Sequence, residues 1–201
     1  RFLGVERKVD GALGWRDEGE GMLWLYNLHY FDDLIAAPYA NYRQEHLRCI
    51  LRWIEENPQG TGPGWDPYPT SLRIVNWVKA GLEGFSLPPM AIASLALQSE
   101  HLQSRIELHL CANHLFANAK ALMFAGLFLD GPSADRWFDI GSRLLEAELA
   151  EQVLSDGGHY ENSPMYGAVI HEDLLDLIQV MHVFGRAVPE NWREVASRMA
   201  H

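Results

Sequence analysis

The chain has 201 residues, 48% of them hydrophobic, so it is long and apolar enough to form a sizeable core as a single domain over 1–201. Its net charge of −11 argues against nucleic acid as a partner, because phosphate binding needs a clustered basic face. No apolar run reaches the ~18 residues of a membrane span, so none is predicted. Cys49 and Cys111 lack metal-ligand spacing and lie in apolar, helix-like patterns, which predicts two buried free thiols.

Helical periodicity dominates the chain, and strand alternation is hard to find. Thr70, Ser133 and Ser163 are candidate N-caps, and Pro164 suits the first position of its helix. The predicted helices are 23–36, 41–56, 71–84, about 90–110, 113–129, 134–154, 165–184 and one that begins at 190. Successive helical hairpins of this kind form a solenoid or an α/α toroid, and the lack of a fixed-period motif disfavours the named solenoid families.

The loop between the predicted helices 134–154 and 165–184 carries an unusual group of polar side chains. Its turn, Asp156-Gly157-Gly158, and its helix start, Ser163-Pro164, have ordinary structural explanations. The other polar residues do not: His159, Tyr160, Glu161 and Tyr166. Loops at helix ends often hold polar groups against a ligand. Ring packing is the alternative, and spacing alone does not separate Tyr160 from Tyr166.

A second polar cluster, Asn113 and His114, lies at the start of a predicted helix. Asn113 could simply cap the helix, and His114 could be a core histidine. Asn118 lies one turn after His114 on the same face, so an otherwise apolar helix carries a polar stripe. Buried polar groups must be hydrogen-bonded, or else they face a cleft. The pattern therefore marks a candidate site and leaves the structural alternative open.

Two aromatic segments could bind a carbohydrate. Trp65 and Tyr68 lie beside Arg73, and aromatic faces next to a guanidinium suit sugar rings that carry carboxylates. The same mixture recurs upstream in Asn27, His29 and Tyr30. Ordinary packing explains both segments equally well. Metal-ligand motifs, phosphate loops and the nucleophile elbow are not found, so the sequence predicts neither a metal site nor a cofactor.

Four segments resemble, in the same order, the N-terminal helical domain of heparinase II/III-like proteins. They read LWLYNLHYFDDL (23–34), GWDPYPTSLRIVNWVKA (64–80), ANHLFANAKALMFAGLFL (112–129) and LSDGGHYENSPMYG (154–167). The resemblance implies an all-α fold, an incomplete α/α toroid of helical hairpins, in a fragment of a larger protein. In full-length members a C-terminal β-sandwich domain follows, and this chain is expected to lack it.

The resemblance also implies roles for the residues that match. In the lyases of the family, the position of Asn113 neutralises the substrate carboxylate, with His114 assisting. The tyrosine of the Ser-Pro-x-Tyr segment acts as acid or base, and it matches Tyr166 rather than Tyr160. The residues expected to bind substrate are Trp65, Tyr68, Arg73, His159, Glu161, Asn27, His29 and Tyr30. Arg73, Lys120 and His114 are candidate cations that would lower the pKa of a tyrosine base.

By this resemblance the full-length protein is expected to be a polysaccharide lyase that cleaves a uronate-containing chain, such as a glycosaminoglycan or alginate, by β-elimination. The alternatives are a uronyl C5 epimerase on the same scaffold and a non-catalytic glycan-binding or assembly domain. The family often has histidine where this chain has Gly167, and further catalytic groups come from later in the chain, so the fragment alone is expected to be incomplete. The expected partner is an acidic polysaccharide, and the acidic net charge disfavours a highly sulfated one. The resemblance is compatible with a periplasmic or exported protein, although no signal-peptide pattern is visible.

Overall fold

The computed structural model describes residues 1–36, 39–108 and 112–200, and these residues are mostly helical. No strand is found among them, and two isolated bridges pair Phe2 with Val5 and Val153 with His159. The α-helices are α1 (Gly11–Gly14), α2 (Met22–Tyr30), α3 (Arg43–Glu56), α4 (Pro67–Leu82), α5 (Pro89–Gln103), α6 (Ala112–Phe128), α7 (Pro132–Gln152), α8 (Pro164–Val183) and α9 (Glu190–Met199). Short 3-10 helices lie at Glu18–Glu20, Asp32–Leu34, Tyr39–Tyr42 and Pro63–Trp65. Within the described residues, no helix combines the length and the apolar character that a bilayer crossing requires.

The chain forms two compact units, Arg1–Arg105 and Ile106–His201. In the first unit, α4 is buried along most of its length and packs against α2 and α5. The largest fully buried side chains of this unit are Trp24, Trp53, Trp77 and Arg73. The assignment of 1–201 to one domain stays a prediction.

In the second unit, α6 is buried on nearly every side and pairs closely with α7. Two glycines permit the close approach: a Cβ on Gly126 would lie 2.6 Å from the carbonyl oxygen of Ala134, and one on Gly141 would lie 2.7 Å from that of Ala119. Later positions on α6 thus meet earlier positions on α7, so the two helices run antiparallel. Helix α8 packs on α6, and α9 packs on α8.

Ser163 caps α8 as predicted: its hydroxyl accepts a hydrogen bond from the Tyr166 amide at 3.4 Å, and Pro164 follows at the first helical position. Two other predicted caps are wrong. Helix α4 begins one turn before Thr70, because Pro67 already has the fixed φ of a helix start, and Thr70 is buried with its hydroxyl donating to the Gly64 carbonyl oxygen. Helix α7 begins at Pro132, so Ser133 lies inside it.

Three further predictions need correction. The helix predicted over 23–36 ends at Tyr30, because Phe31 adopts a left-handed conformation with φ of 61°. The helix predicted to reach residue 110 ends at Gln103. Cys49 is exposed rather than buried, since it lies at the edge of the face of α3 that buries His46, Ile50 and Trp53. Cys111 lies outside the described residues.

Candidate functional site

The first turns of α6 and α8 lie at the same end of the second unit. Gln152, the last residue of α7, accepts a hydrogen bond from His159 at 3.2 Å, and the His159 ring lies 6.0 Å from that of Tyr166 in α8. Because α7 runs antiparallel to α6, this end of α7 is beside the start of α6. At the far end, Arg186 follows α8 and lies 5.4 Å above the ring of Phe138, whose backbone contacts α6 near its end. Helices α6 and α8 therefore run in the same direction.

A buried ion-pair cluster fixes the register of these two helices. The Lys120 ammonium in α6 lies 2.5 Å from a carboxylate oxygen of Asp173 and 2.5 Å from one of Asp176, both in α8. Asn113 precedes Lys120 by seven residues, and Tyr166 precedes Asp173 by the same number. Seven residues make almost two helical turns, a rise of about 10.5 Å with a rotation of only about 20°. Asn113 and Tyr166 thus lie at matching heights on the two helix faces that meet at Lys120.

Lys120 does not act as the positive group that was predicted to assist a tyrosine base. Its side chain is only 6% exposed, and two carboxylates contact it. Burial lowers its pKa, but Asp173 and Asp176 outweigh burial and raise the pKa overall. With one cation and two anions, the cluster carries a net negative charge, so its contribution is to hold α6 against α8.

Asn113 and His114 are partly exposed in the first turn of α6. His114 Nδ1 lies 3.3 Å from Oε1 of Glu107, a buried carboxylate in the segment before α6. Asn118 is fully buried and bonds Glu107 twice: its amide nitrogen donates to Oε2 at 3.2 Å, and its oxygen accepts from the Glu107 amide at 2.9 Å. Asn118 is therefore satisfied inside the unit, and the accessible polar groups of this helix start are Asn113 and His114.

His159 is buried beneath Tyr166 and is held as a neutral imidazole. Its Nδ1 accepts from the Glu161 amide at 3.4 Å, so Nε2 carries the hydrogen that is donated to Gln152. The amide nitrogen of Gln152 donates in turn to buried Glu148 at 2.6 Å. Burial lowers the pKa of His159, and the nearby Glu161 carboxylate only partly opposes this. The predicted substrate-binding residue His159 thus supports the Tyr166 ring from below, whereas Glu161 is exposed.

Exposure and ring contacts do not separate the two tyrosines that spacing left equal. Both are partly exposed, and both rings are tilted against His159, at 4.9 Å for Tyr160 and 6.0 Å for Tyr166. They differ in that Tyr166 lies in α8, whereas Tyr160 lies in the loop and its hydroxyl donates to the neighbouring Glu161 carboxylate at 3.3 Å. Gly157 is essential to the loop, since its φ is 91° and a Cβ there would lie 2.3 Å from the Arg198 carbonyl oxygen. The loop is therefore braced by the end of α9.

Gly167, the position at which this chain departs from the resembling motif, is not required by packing. A Cβ there would have His159 Cβ as its nearest neighbour at 3.7 Å, an ordinary contact. The residue borders a surface cavity of about 730 Å³ that His171, Arg198 and Asn162 also line. In a helix, residues 167 and 171 share a face that is turned away from residue 166. The cavity thus lies on the flank of α8 away from Tyr166.

In the first unit, Arg73 is fully buried and makes only interior contacts among the described residues. Its guanidinium donates to the carbonyl oxygen of Gly64 at 2.8 Å and to Gln98 at 2.8 Å, and it lies 3.8 Å above the Trp53 ring. A guanidinium in this setting joins the loop before α4 to α3 and α5. We therefore expect Arg73 to stabilise the fold rather than to contact a substrate carboxylate.

Three of the predicted aromatic and imidazole ligands share this interior: Trp65, His29 and Tyr30. Trp65 donates its indole hydrogen to the Asn57 carbonyl oxygen at 3.1 Å. His29 accepts from the Trp53 indole at 2.9 Å, and burial, reinforced by the charge of Arg73, lowers its pKa to about 3. Of the first-unit candidates, Tyr68 and Asn27 are the two with partly exposed side chains. Their role in substrate binding stays a prediction.

Sequence reasoning missed Glu107, Asp173 and Asp176. The two aspartates could have been predicted. A lysine inside an apolar helix is buried and needs carboxylate partners, and two acidic residues three positions apart on another helix can supply them. Glu107 had none, since it lies in a short irregular segment before α6.

Comparison with known proteins places this geometry in context. Residues 25–201 match the family model described as heparinase II/III N-terminus. The chain is 28% identical over 194 residues to a heparin-sulfate lyase of Bacteroides thetaiotaomicron, covering 86% of this chain and 28% of that protein. It is 30% identical over 182 residues to the FtsZ-localized protein C of Caulobacter vibrioides, covering 87% of this chain and 31% of that protein.

The solved structure of a heparan sulfate lyase HepC mutant from Pedobacter heparinus superposes with a TM-score of 0.74 at 19% identity, covering 98% of this chain and 35% of that one. This likeness confirms the predicted fold class, an all-α incomplete α/α toroid. The chain spans about a third of the length of the proteins it matches.

Proposed function

The chain belongs to the heparinase II/III family, whose N-terminal domain it contains, and on that premise we propose that it is the helical domain of a lyase that cleaves a uronate-containing polysaccharide by β-elimination. The observation that carries the proposal is the placement of Asn113 and Tyr166 at matching heights on two parallel helices tied by Lys120. An amide donor and a phenol at one end of a rigid helix pair suit a reaction that must stabilise an anion and move a proton.

The proposed reaction begins with the uronate carboxylate against the Asn113 amide. Hydrogen bonding to this carboxylate stabilises the enolate-like anion that forms when the C5 proton leaves. The C5–H electrons form the C4–C5 double bond, the C4–O4 bond breaks, and O4 leaves with the electron pair and takes up a proton. In this reaction Tyr166 acts either as the base that takes the C5 proton or as the acid that protonates O4. His114, next to Asn113, assists.

The charge of the second unit points to the class of polymer. Between residues 106 and 201 there are six lysines and arginines against 14 aspartates and glutamates. This excess of negative charge repels a polyanion, and the repulsion grows with the charge density of the polymer. We therefore favour a uronate polymer of low sulfation over heparin as the substrate. Such a polymer should bind faster when added salt screens the repulsion. The β-sandwich domain implied by the resemblance stays a prediction.

The test is a screen of the natural full-length protein against uronate polysaccharides of graded sulfation. A lyase generates an unsaturated uronate, which is followed by its ultraviolet absorbance, and Asn113→Ala should reduce this signal by about 10²-fold or more, as loss of an anion-stabilising donor does. Asn191→Ala, at an exposed position in α9, is the matched amide control. Deuterium uptake from solvent into an intact polymer would instead identify a C5 epimerase.

A non-catalytic role is the second candidate, and two observations favour it. One relative of comparable identity carries the printed name FtsZ-localized protein C rather than the name of a lyase. The chain also has Gly167 where the resemblance implies a histidine, and packing does not demand that glycine. Retained binding of an oligouronate with no product from any polymer in the screen would select this alternative.

A further inference from the structure

Glu107 has no role in the reaction proposed above, yet it is hydrogen-bonded to Asn118 and contacts His114 at the predicted catalytic helix start. Its side chain is buried, at 9% exposure, in the segment before α6. A buried carboxylate is costly unless its oxygens are hydrogen-bonded. Both oxygens of Glu107 have partners: Oε1 lies 3.3 Å from His114 Nδ1, and Oε2 accepts from Asn118 at 3.2 Å.

Asn118 sets the orientation of the carboxylate. The Asn118 oxygen accepts from the backbone amide of Glu107 at 2.9 Å, while its nitrogen donates to the Glu107 side chain. Rotating the amide by half a turn would place its NH₂ against a backbone N–H, so only one orientation satisfies both bonds. Because Asn118 lies fully buried in α6, this double bond fixes Glu107 against the helix.

We propose that Glu107 is a positioning residue that holds His114 in the Nδ1–H tautomer. An ionised carboxylate only accepts hydrogen bonds, so the nitrogen facing Oε1 must carry the hydrogen. Nε2, on the opposite side of the ring, then has the lone pair. The catalytic consequence rests on the proposed lyase function, whereas the tautomer itself does not.

The tautomer can be measured directly in protein labelled with ¹⁵N at histidine, by long-range ¹H–¹⁵N correlation NMR at a pH where the ring is neutral. The expected pattern for His114 is a protonated Nδ1 and an unprotonated Nε2. In Glu107→Ala the pattern should shift toward the Nε2–H form, whereas Glu172→Ala, an exposed control in α8, should leave it unchanged. An Nε2–H ring in the unmodified protein would overturn the proposal, and this measurement needs no variant to fold.

Kinetic measurements distinguish the failure of this proposal from the failure of the proposed function. In an active full-length protein, Glu107→Ala should lower kcat by about tenfold or more, with KM changed much less, as loss of a group that orients a functional side chain does. An unchanged kcat would confine Glu107 to a structural role and overturn the proposal. An Nδ1–H ring in a protein with no lyase activity would instead retain the tautomer assignment and reject the reaction.

Discussion

Replacing Lys120 by methionine should cost the protein about 3 kcal/mol of stability. Removing one partner of a buried ion pair typically costs about 3–5 kcal/mol, because the remaining charge stays buried without compensation. Asp173 and Asp176 keep 16% and 17% exposure, so water can reach them and the lower end of the range applies. In a chain of this length, that loss lowers the Tm by about 6–12 °C.

Thermal unfolding followed by circular dichroism measures this loss, with Lys8→Met as the matched control. Lys8 pairs with Asp10 at 3.1 Å, but its side chain is 85% exposed, so its pair should contribute within about 1 kcal/mol. Adding Asp173→Asn and Asp176→Asn to Lys120→Met should recover part of the lost stability, since no uncompensated charge remains. A Lys120→Met protein as stable as the Lys8→Met protein would refute the claim that the Lys120 ion-pair cluster holds α6 against α8.

The pH dependence of this contribution has a definite sign. The pKa of Lys120 is raised in the folded protein, so the folded state holds its proton more tightly than the unfolded state. Where Asp173 and Asp176 are ionised, the advantage of the unmodified protein over Lys120→Met should therefore be fully present below about pH 10.5 and be lost as the pH rises beyond that value.

The remaining predictions concern the loop and the core of the first unit. Gly157→Ala should lower the free energy of unfolding, measured in urea, by about 2 kcal/mol or more, because Gly157 has a positive φ and a Cβ there would clash with the Arg198 carbonyl oxygen. The control Gly158→Ala should cost less, since Gly158 has no positive φ. Equal losses would contradict the account of the loop. His29 is buried neutral with a pKa of about 3, so stability should fall as the pH drops from about 6.5 towards 3, by up to about 1.4 kcal/mol per unit. His29→Gln should flatten that slope, and an unchanged slope would contradict the lowered pKa of His29 in the folded protein.

The sequence was informative where local chemistry decides the structure. Proline after serine placed the start of α8 correctly, because a fixed φ and a side-chain acceptor act within one turn. The same logic misplaced the start of α4, where two candidate starts stand one turn apart and Asp66-Pro67 is the one used. The Asp66 carboxylate accepts from the Tyr26 hydroxyl at 2.7 Å, a tertiary contact that the sequence does not encode locally.

The site was less predictable than the fold, because the same residue types line clefts and fill cores. Arg73 and Trp65 have the composition of a sugar subsite, yet both are buried among aromatic rings and backbone carbonyl groups. Only the tertiary contacts show whether an arginine beside a tryptophan binds a sugar or packs in the core. Glu107 was missed for the complementary reason, since nothing nearby in the sequence links it to His114.

The central claim is that Tyr166, at the start of α8, moves the proton in a β-elimination. It is tested most directly by the rate of unsaturated uronate formation in the natural full-length protein, compared with its Tyr166→Phe and Tyr160→Phe variants. Both substitutions remove one hydroxyl from a partly exposed tyrosine whose ring contacts His159, so they perturb the fold similarly. The account predicts a loss of about 10²-fold or more for Tyr166→Phe and a near-normal rate for Tyr160→Phe. A normal rate in Tyr166→Phe, or equal losses in the two variants, would contradict it.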